Sequence, residues 1–399
     1  MRRYVEHLQQ HRMQDMRKNT NGKIQSFEGL RLFFVMTIAL SHCAFFRNPT
    51  AAYIQKNFLT NARIGVYFFF LLSGFGLTYS IRTGKASVPD TGLKSCIEFG
   101  RQHVKKIFSC YLLSLVLCIP VTIFNDITNH GVRTGVILLL VRAINLPFLT
   151  QSLFGFAGLS HAFNGVCWFL STTFLLYIFF PKLYAFAEAH VFGLSIKRKW
   201  GVCIATVGAD SLLFLLFREI ETFAPFDDLA YGSPYFRVVS FFLGMLLCDI
   251  FLEERERKKF SDGAEVVTLA GTLAWLLFRN SSFLISFDSI FPASVLKEIA
   301  DLLVAAANIY VFSFESGCIS RFFAKPLMTK WGGQAQYIYL FHSVIAGAVI
   351  PVLNAVIKSI IVHDILAVCA MIFGTLALVF AGRKVSRRFV WKPLVLPFF

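Results

Sequence analysis

Charge is scarce in this chain. Only 16% of its 399 residues are Asp, Glu, Lys or Arg, and the acids number 23 against 39 bases. Too few charges are present to cover a water-soluble domain of this size. Nine cysteines are scattered with no CxxC pair and no regular spacing, so neither a disulfide framework nor a zinc site is expected. There is no repeat of 20 to 50 residues and no low-complexity tract, which argues against solenoids and arrays. The first 27 residues are polar and basic, without the short apolar core and small-residue cleavage site of a signal peptide. The first apolar segment is therefore expected to act as its own insertion signal, and no separately folded soluble domain is expected.

What remains is hydrophobic. Apolar residues make up 56%, with 46 Phe and a mean hydropathy of +0.62. The reading is an all-α, polytopic membrane bundle of about ten transmembrane helices. The expected spans cover 28–46, 64–81, 107–124, 165–181, 201–217, 236–252, 264–279, 299–316, 335–354 and 361–381, each near the length a bilayer core requires. They divide the chain into a basic N-terminal segment (1–27), a membrane domain (28–381) and a basic tail (382–399).

Charge then orients the bundle. With the N-terminus inside, 28 of the 39 Lys and Arg fall in inner segments, so both termini are expected in the cytoplasm. The tracts RKNTNGK, RQHVKK, KRK, RERKK and RKVSRR account for most of the +16 net charge and suit anionic headgroups of the bilayer rather than nucleic acid. The run VILLLVRAINLPFL (136–149) is the exception. Counting it as a span would put the KRK tract outside, and Arg142, Asn145 and Pro147 interrupt it, so it is expected as a re-entrant or interfacial helix on the outer side.

Inside this apolar background a few polar residues stand out. Arg31 and His42 lie eleven positions apart in the first span, which returns a helix to within about 20° of its starting face and separates them by about 16 Å. Intramembrane charge is expensive and generally kept for use. Alternatively, Arg31 snorkels and His42 makes an ordinary helix contact. His42 titrates near neutrality and is a candidate general base; neighbouring Ser41 points to another face, so sequence adjacency implies no Ser-His pair. Glu28, one turn before Arg31, can hold the guanidinium where a phosphate reaches it. Arg101, Lys105 and Lys106 could extend that basic cluster, although positive-inside anchoring explains the lysines equally well. Ser73, Gly74 and Gly76 suit close helix packing. Trp168 reads as an interface anchor or a substrate contact. His342 places a second imidazole in the ninth span, and Asp210 or Asp301 could orient one.

Taken in order, these segments resemble the acyltransferase 3 family of integral membrane O-acyltransferases. Glu28-Gly29-Leu30-Arg31, ten residues and His42 match its opening pattern, and Gly65-Val66-Tyr67-Phe68-Phe69-Phe70-Leu71-Leu72-Ser73-Gly74-Phe75 is similar to its second block. Arg101 and Lys105 stand at the spacing of a basic Arg-x-x-x-Arg element. Trp168-Phe169-Leu170, Phe242-Leu243-Gly244 and Tyr337 to His342 resemble later blocks. The chain departs from many members at Tyr67, Thr173 and Phe174, where acids are common, and at Trp391-Lys392-Pro393, where a Glu-x-Pro is usual.

The resemblance implies transfer of an acyl group, usually acetyl, from acyl-CoA as co-substrate to a hydroxyl of a cell-surface polysaccharide or lipid-linked sugar. His42 would be the general base. Arg31 and Arg101 would position the donor or stabilise charge, with Glu28, Lys105, Ser73, Trp168 and His342 around the substrates. A multi-pass protein of a bacterial cytoplasmic membrane is expected, either acting alone or handing the group to a separate extracellular transferase. The rival reading is a transporter or flippase whose intramembrane charges line a path for an ion or lipid-linked sugar.

Overall fold

A computed structural model describes residues 22–223, 226–281, 284, 292–389 and 393. Most of the expected basic N-terminal segment, and Trp391-Lys392, fall outside them. The described residues contain helices and no strand. The long helices are α1 (Ser26–Ser41), α2 (Ala62–Arg82), α3 (Leu93–Ile144), α4 (Trp168–His190), α5 (Ile196–Ile220), α6 (Pro234–Glu254), α7 (Asp262–Phe278), α8 (Ala293–Ser313), α9 (Ala335–Val356) and α10 (Ile360–Arg388). Each expected span falls on one of them. Among the described residues seven helices are long and apolar enough to cross a membrane, namely those carrying α2, α3, α4, α5, α6, α9 and α10. Helices α1 and α7 have only 16 and 17 residues, and α8 carries Lys297, Glu298 and Asp301 in one stretch.

Local chemistry sets several boundaries. Ser233 caps α6 by accepting from Phe236 N at 3.3 Å, with Pro234 in the first turn, and Ser261 caps α7 by accepting from Ala264 N at 3.2 Å. The centre is the crossing of α2 and α6. A Cβ on Gly74 would lie 2.0 Å from the Phe241 carbonyl oxygen, and one on Gly244 would lie 2.0 Å from that of Leu71, so two glycines let the backbones touch. Gly76, from the same stretch of sequence, borders open space instead.

Contacts place the start of α1 and the end of α10 at the same end of the bundle. Ser26 Oγ donates to Phe312 O at the end of α8, while Ser109 and Ser386 tie the end of α10 to α3. Lys199 and Arg82 converge on Asp249, and Lys258 reaches Tyr310, near this end as well. The basic tracts within the described residues thus gather at one physical end.

Two expectations are corrected. The first span does not continue to Phe46: α1 stops at Ser41, and His42 is its C-cap, accessible rather than buried in mid-helix. The chain then turns because Asp364 captures the backbone N–H groups of Arg47 and Asn48 at 3.0 and 2.9 Å. Nor do Asp210 and Asp301 orient an imidazole. Asp210 accepts from the Tyr67 hydroxyl at 2.9 Å, and that hydroxyl also lies 2.6 Å from Glu298, which pairs with Arg63. Asp301 takes two guanidinium nitrogens of Arg279 and the Trp275 indole at 2.7 to 2.9 Å. Such buried acids need partners nearby, and the bonds each makes go to these groups rather than to an imidazole, although Asp210 Oδ1 makes no hydrogen bond among the described residues.

The 136–149 run turns back on the helix before it. Gly131 adopts φ +77°, ψ +163°, which breaks α3 into two arms. The second arm returns alongside the first: Arg142 grips Asp126 with 2.6 and 2.7 Å bonds, and the Tyr111 hydroxyl donates to Leu146 O at 3.0 Å.

Candidate active site

Helix α1 carries Arg31 and His42 at its two ends. Near its N-terminus, Glu28 is buried and pairs with Arg31 at 3.2 Å and with Lys23 at 2.6 Å. Arg31 keeps 42% of its side chain exposed, so it is anchored yet accessible. It lies between two cavities of about 200 Å³ each. One is lined by Lys23, Glu28 and Lys85. The other runs between Ser73, His103, Phe169, Tyr177 and Tyr339.

Arg101 and Lys105 do not line either cavity. They share a helix face, and the opposite face presents His103, Val104 and Ile107 to the passage. Arg101 pairs with Glu98 at 3.4 Å, and Lys105 donates to Gln102 at 2.6 Å. The cations brought to Arg31 are Lys23 and Lys85, which the sequence motif does not mark. Ser73 lines the passage while its hydroxyl donates to Phe69 O. Trp168 is only 3% exposed and packs on Tyr231, with ring centroids 4.9 Å apart, which removes the interface-anchor reading.

At the far end of the passage, Tyr339 lies 6.0 Å ring to ring from His342. His342 Nε2 is 3.3 Å from His42 Nδ1. Proton positions follow from the carbonyls, which can only accept. His342 Nδ1 is 3.0 Å from Ile338 O and therefore carries hydrogen, leaving Nε2 as an acceptor. His42 Nδ1 is 2.9 Å from Ile38 O and carries hydrogen too, and it shares that one hydrogen with His342 Nε2 in a longer, bifurcated contact. The lone pair of His42 is consequently on Nε2, which makes no hydrogen bond among the described residues. Ser41 donates its own proton to Ile38 O at 2.6 Å and is not activated by the imidazole.

The cap position adds electrostatics. The last carbonyls of α1 place partial negative charge beside His42, in the sense that favours the imidazolium formed when it accepts a proton. This constellation, an accessible imidazole oriented by a buried one, can do general-base chemistry.

A third histidine was not marked by the sequence. His161, in the 157–166 connection, faces the Gly165 carbonyl at 2.8 Å through Nδ1 and Asp228 at 3.5 Å through Nε2. Burial pushes this imidazole down, but the Asp228 contact and charge with the Gly165 carbonyl bring it above its ordinary value of 6.5. A lone histidine among Gly, Leu, Ser and Ala gives no pattern to detect. Among the described residues, no group of three His, Cys, Asp or Glu could hold a metal ion.

Comparison with known proteins agrees with the resemblance drawn from the motifs. The family described as "Acyltransferase domain" matches residues 24–383. Acyltransferase MdmB of Streptomyces mycarofaciens is 27% identical over 342 residues, covering 80% of this chain and 78% of its own length. A Staphylococcus aureus (strain COL) protein named "Putative O-acetyltransferase SACOL0978" is 22% identical over 339 residues, covering 80% of this chain. A protein of the same organism (strain MSSA476) is 22% identical over 335 residues, covering 79%. The chain spans about half the length of the two S. aureus proteins. No solved structure matches it.

Proposed function

The chain belongs to the acyltransferase 3 family as a multi-pass membrane acyltransferase, and we propose that it moves an acetyl group from acetyl-CoA to a hydroxyl of a surface polysaccharide or lipid-linked sugar. A bacterial cytoplasmic membrane is the proposed location, with the basic end of the bundle inside. The observation that carries this reading is the continuity of the site: two cavities meet at Arg31, and one of them leads to Tyr339 beside the His342–His42 pair.

In this reading Lys23, Arg31 and Lys85 receive the CoA phosphates, since clustered cations at the mouth of a cavity suit a polyanion. The extended thiol arm threads the passage between Ser73, Tyr177 and Phe169, and the roughly 16 Å from Arg31 to His42 is a length such an arm covers. His42 Nε2 takes the proton of the acceptor hydroxyl. The oxygen attacks the thioester carbonyl, the C–S bond breaks, and the CoA thiolate receives a proton from the imidazolium. The Ile38 carbonyl and His342 Nε2 share the Nδ1 proton's hydrogen bond and together fix which nitrogen is basic. Support for oxygen as the acceptor comes from the name borne by the S. aureus relatives.

The test is turnover by the full chain reconstituted in nanodiscs with a membrane glycolipid fraction. Free CoA thiol should appear with acetyl-CoA, together with a base-labile ester on the lipid fraction. Ester-free turnover, or none, removes the proposal.

A further inference from the structure

A second opening begins at Ser343, directly after His342 in the chain, and the motifs do not point to it. It is a crevice of about 340 Å³ between the first arm of α3, the 163–165 turn and the middle of α9. Its polar wall groups are Thr122, Asn125 and Ser343. The Thr122 hydroxyl donates to Cys118 O at 3.0 Å, but the carboxamide of Asn125 and the hydroxyl of Ser343 make no hydrogen bond among the described residues. Two uncommitted polar groups, one on the α3 wall and one on the α9 wall, present donors and acceptors to whatever enters.

The walls are held in place. Asn164 donates to Leu340 O at 2.9 Å, and the Tyr339 hydroxyl donates to Val166 O at 2.9 Å, which clamp the turn to α9. Asp126, next to Asn125, is gripped by Arg142. Phe163 lines the crevice with φ +61°, a conformation that costs a non-glycine residue energy and tends to be kept where a site requires it. The α9 wall includes a π-helical turn, Ile345–Val349, which widens the helix shortly after the histidine. Within it Gly347 has no atom within 4 Å of where a Cβ would stand.

Two of the crevice's lining residues adjoin imidazoles. Ser343 follows His342 in the chain, and the Gly165 carbonyl that lines it is the partner of His161. We propose that this crevice is the acceptor site, taking a ring that bears several hydroxyls and presenting one of them to His42. The donor passage ends on Tyr339 and Leu340 and the acceptor crevice begins at Ser343, so the two approach the histidine pair along consecutive stretches of α9 and each substrate has its own entrance. Free amide and hydroxyl groups on the walls favour a hydroxylated ring over a lipid tail, which would leave them unpaired. This inference rests on the acyltransferase reading above.

The experiment uses the full chain in nanodiscs, radiolabelled acetyl-CoA, and octyl glucoside below its micelle-forming concentration as the acceptor probe. At Gly347 an added Cβ meets no atom within 4 Å, so Gly347→Leu grows into the crevice, and Asn125→Ala removes an accessible wall group; neither should disturb folding. The expected result is at least a tenfold rise in the half-saturating octyl glucoside concentration for Gly347→Leu and about threefold for Asn125→Ala, with that for acetyl-CoA within twofold of wild type. Equal half-saturation by octyl glucoside in all three proteins overturns the site. If the wild type consumes acetyl-CoA but labels neither octyl glucoside nor octyl galactoside, the hydroxylated-ring acceptor is wrong and the site falls alone. If it neither binds nor consumes acetyl-CoA, the acyltransferase reading fails and takes the site with it.

Discussion

His342 Nε2 faces His42 Nδ1 at 3.3 Å across the junction of α9 and α1, although 300 residues separate them in the chain. One imidazole is 1% exposed and the other is accessible, so the pair divides into a holder and a worker.

Removing the worker should stop the chemistry. His42→Ala is expected to lower kcat by about 10²- to 10⁴-fold, the range a positioned general base supplies, with little change in the KM for acetyl-CoA. Steady-state kinetics in nanodiscs check this.

Removing the holder should be milder and recoverable. His342→Ala is expected to reduce kcat about tenfold or more at unchanged KM. His342→Gln should recover part of the loss, because its amide oxygen can accept the Nδ1 proton. Equal kinetics for the two variants would mean that His342 only fills space.

The donor end has a different signature. Arg31→Ala and Lys85→Glu should raise the KM for acetyl-CoA several-fold, while Lys105→Ala, which lies off both cavities, should leave it unchanged. Repeating the assay with dephospho-CoA thioesters tests the assignment: the wild type should lose affinity and Lys85→Glu should lose little more.

The helix crossing offers a stability test independent of function. Gly74→Ala places a methyl against the Phe241 carbonyl, where a Cβ would sit 2.0 Å away. Overpacking of this kind typically costs about 1–3 kcal/mol, and Gly76→Ala, facing open space, should cost almost nothing. Thermal unfolding in detergent compares them.

His161 should make stability depend on pH. Burial lowers its affinity for a proton, but Asp228 and the Gly165 carbonyl more than compensate, so the folded protein holds that proton above the unfolded value of 6.5. The contribution is therefore complete below that value and is lost as pH rises through the higher folded one. The fall in melting temperature on raising pH through neutrality should be shallower in His161→Gln.

Much of this was legible because membrane helices announce themselves. Apolar runs located ten long helices, seven of which among the described residues are long and apolar enough to cross a membrane, and the described clusters of Lys and Arg share one end. Within the site, Arg31, Glu28 and His42 were legible from helical spacing, since all three belong to one helix. His342 was recognisable as a residue of interest, but its contact with His42 depends on which helices are neighbours. The end of α1 at Ser41 was hidden because Cys43 to Phe46 is as apolar as the helix, and the partner that turns the chain, Asp364, is more than 300 residues away. Lys23 and Lys85 looked like ordinary anchors, and Arg101 and Lys105 fit a motif whose face turns away from the cavity. Asp210 and Asp301 were misread because Tyr67 and Arg279 meet them only in three dimensions.

The central claim is that His42 drives acyl transfer to a hydroxyl. Its most direct test is the ester content of purified surface glycans, by mass spectrometry before and after mild base, in cells expressing wild type, His42→Ala or empty vector at matched membrane levels. The account predicts a base-labile ester, with a mass increment that identifies the acyl group, in wild-type cells alone. Equal ester in wild-type and His42→Ala cells, above the vector, would contradict the role of His42; ester at vector level in a host that makes the native acceptor would contradict the function itself.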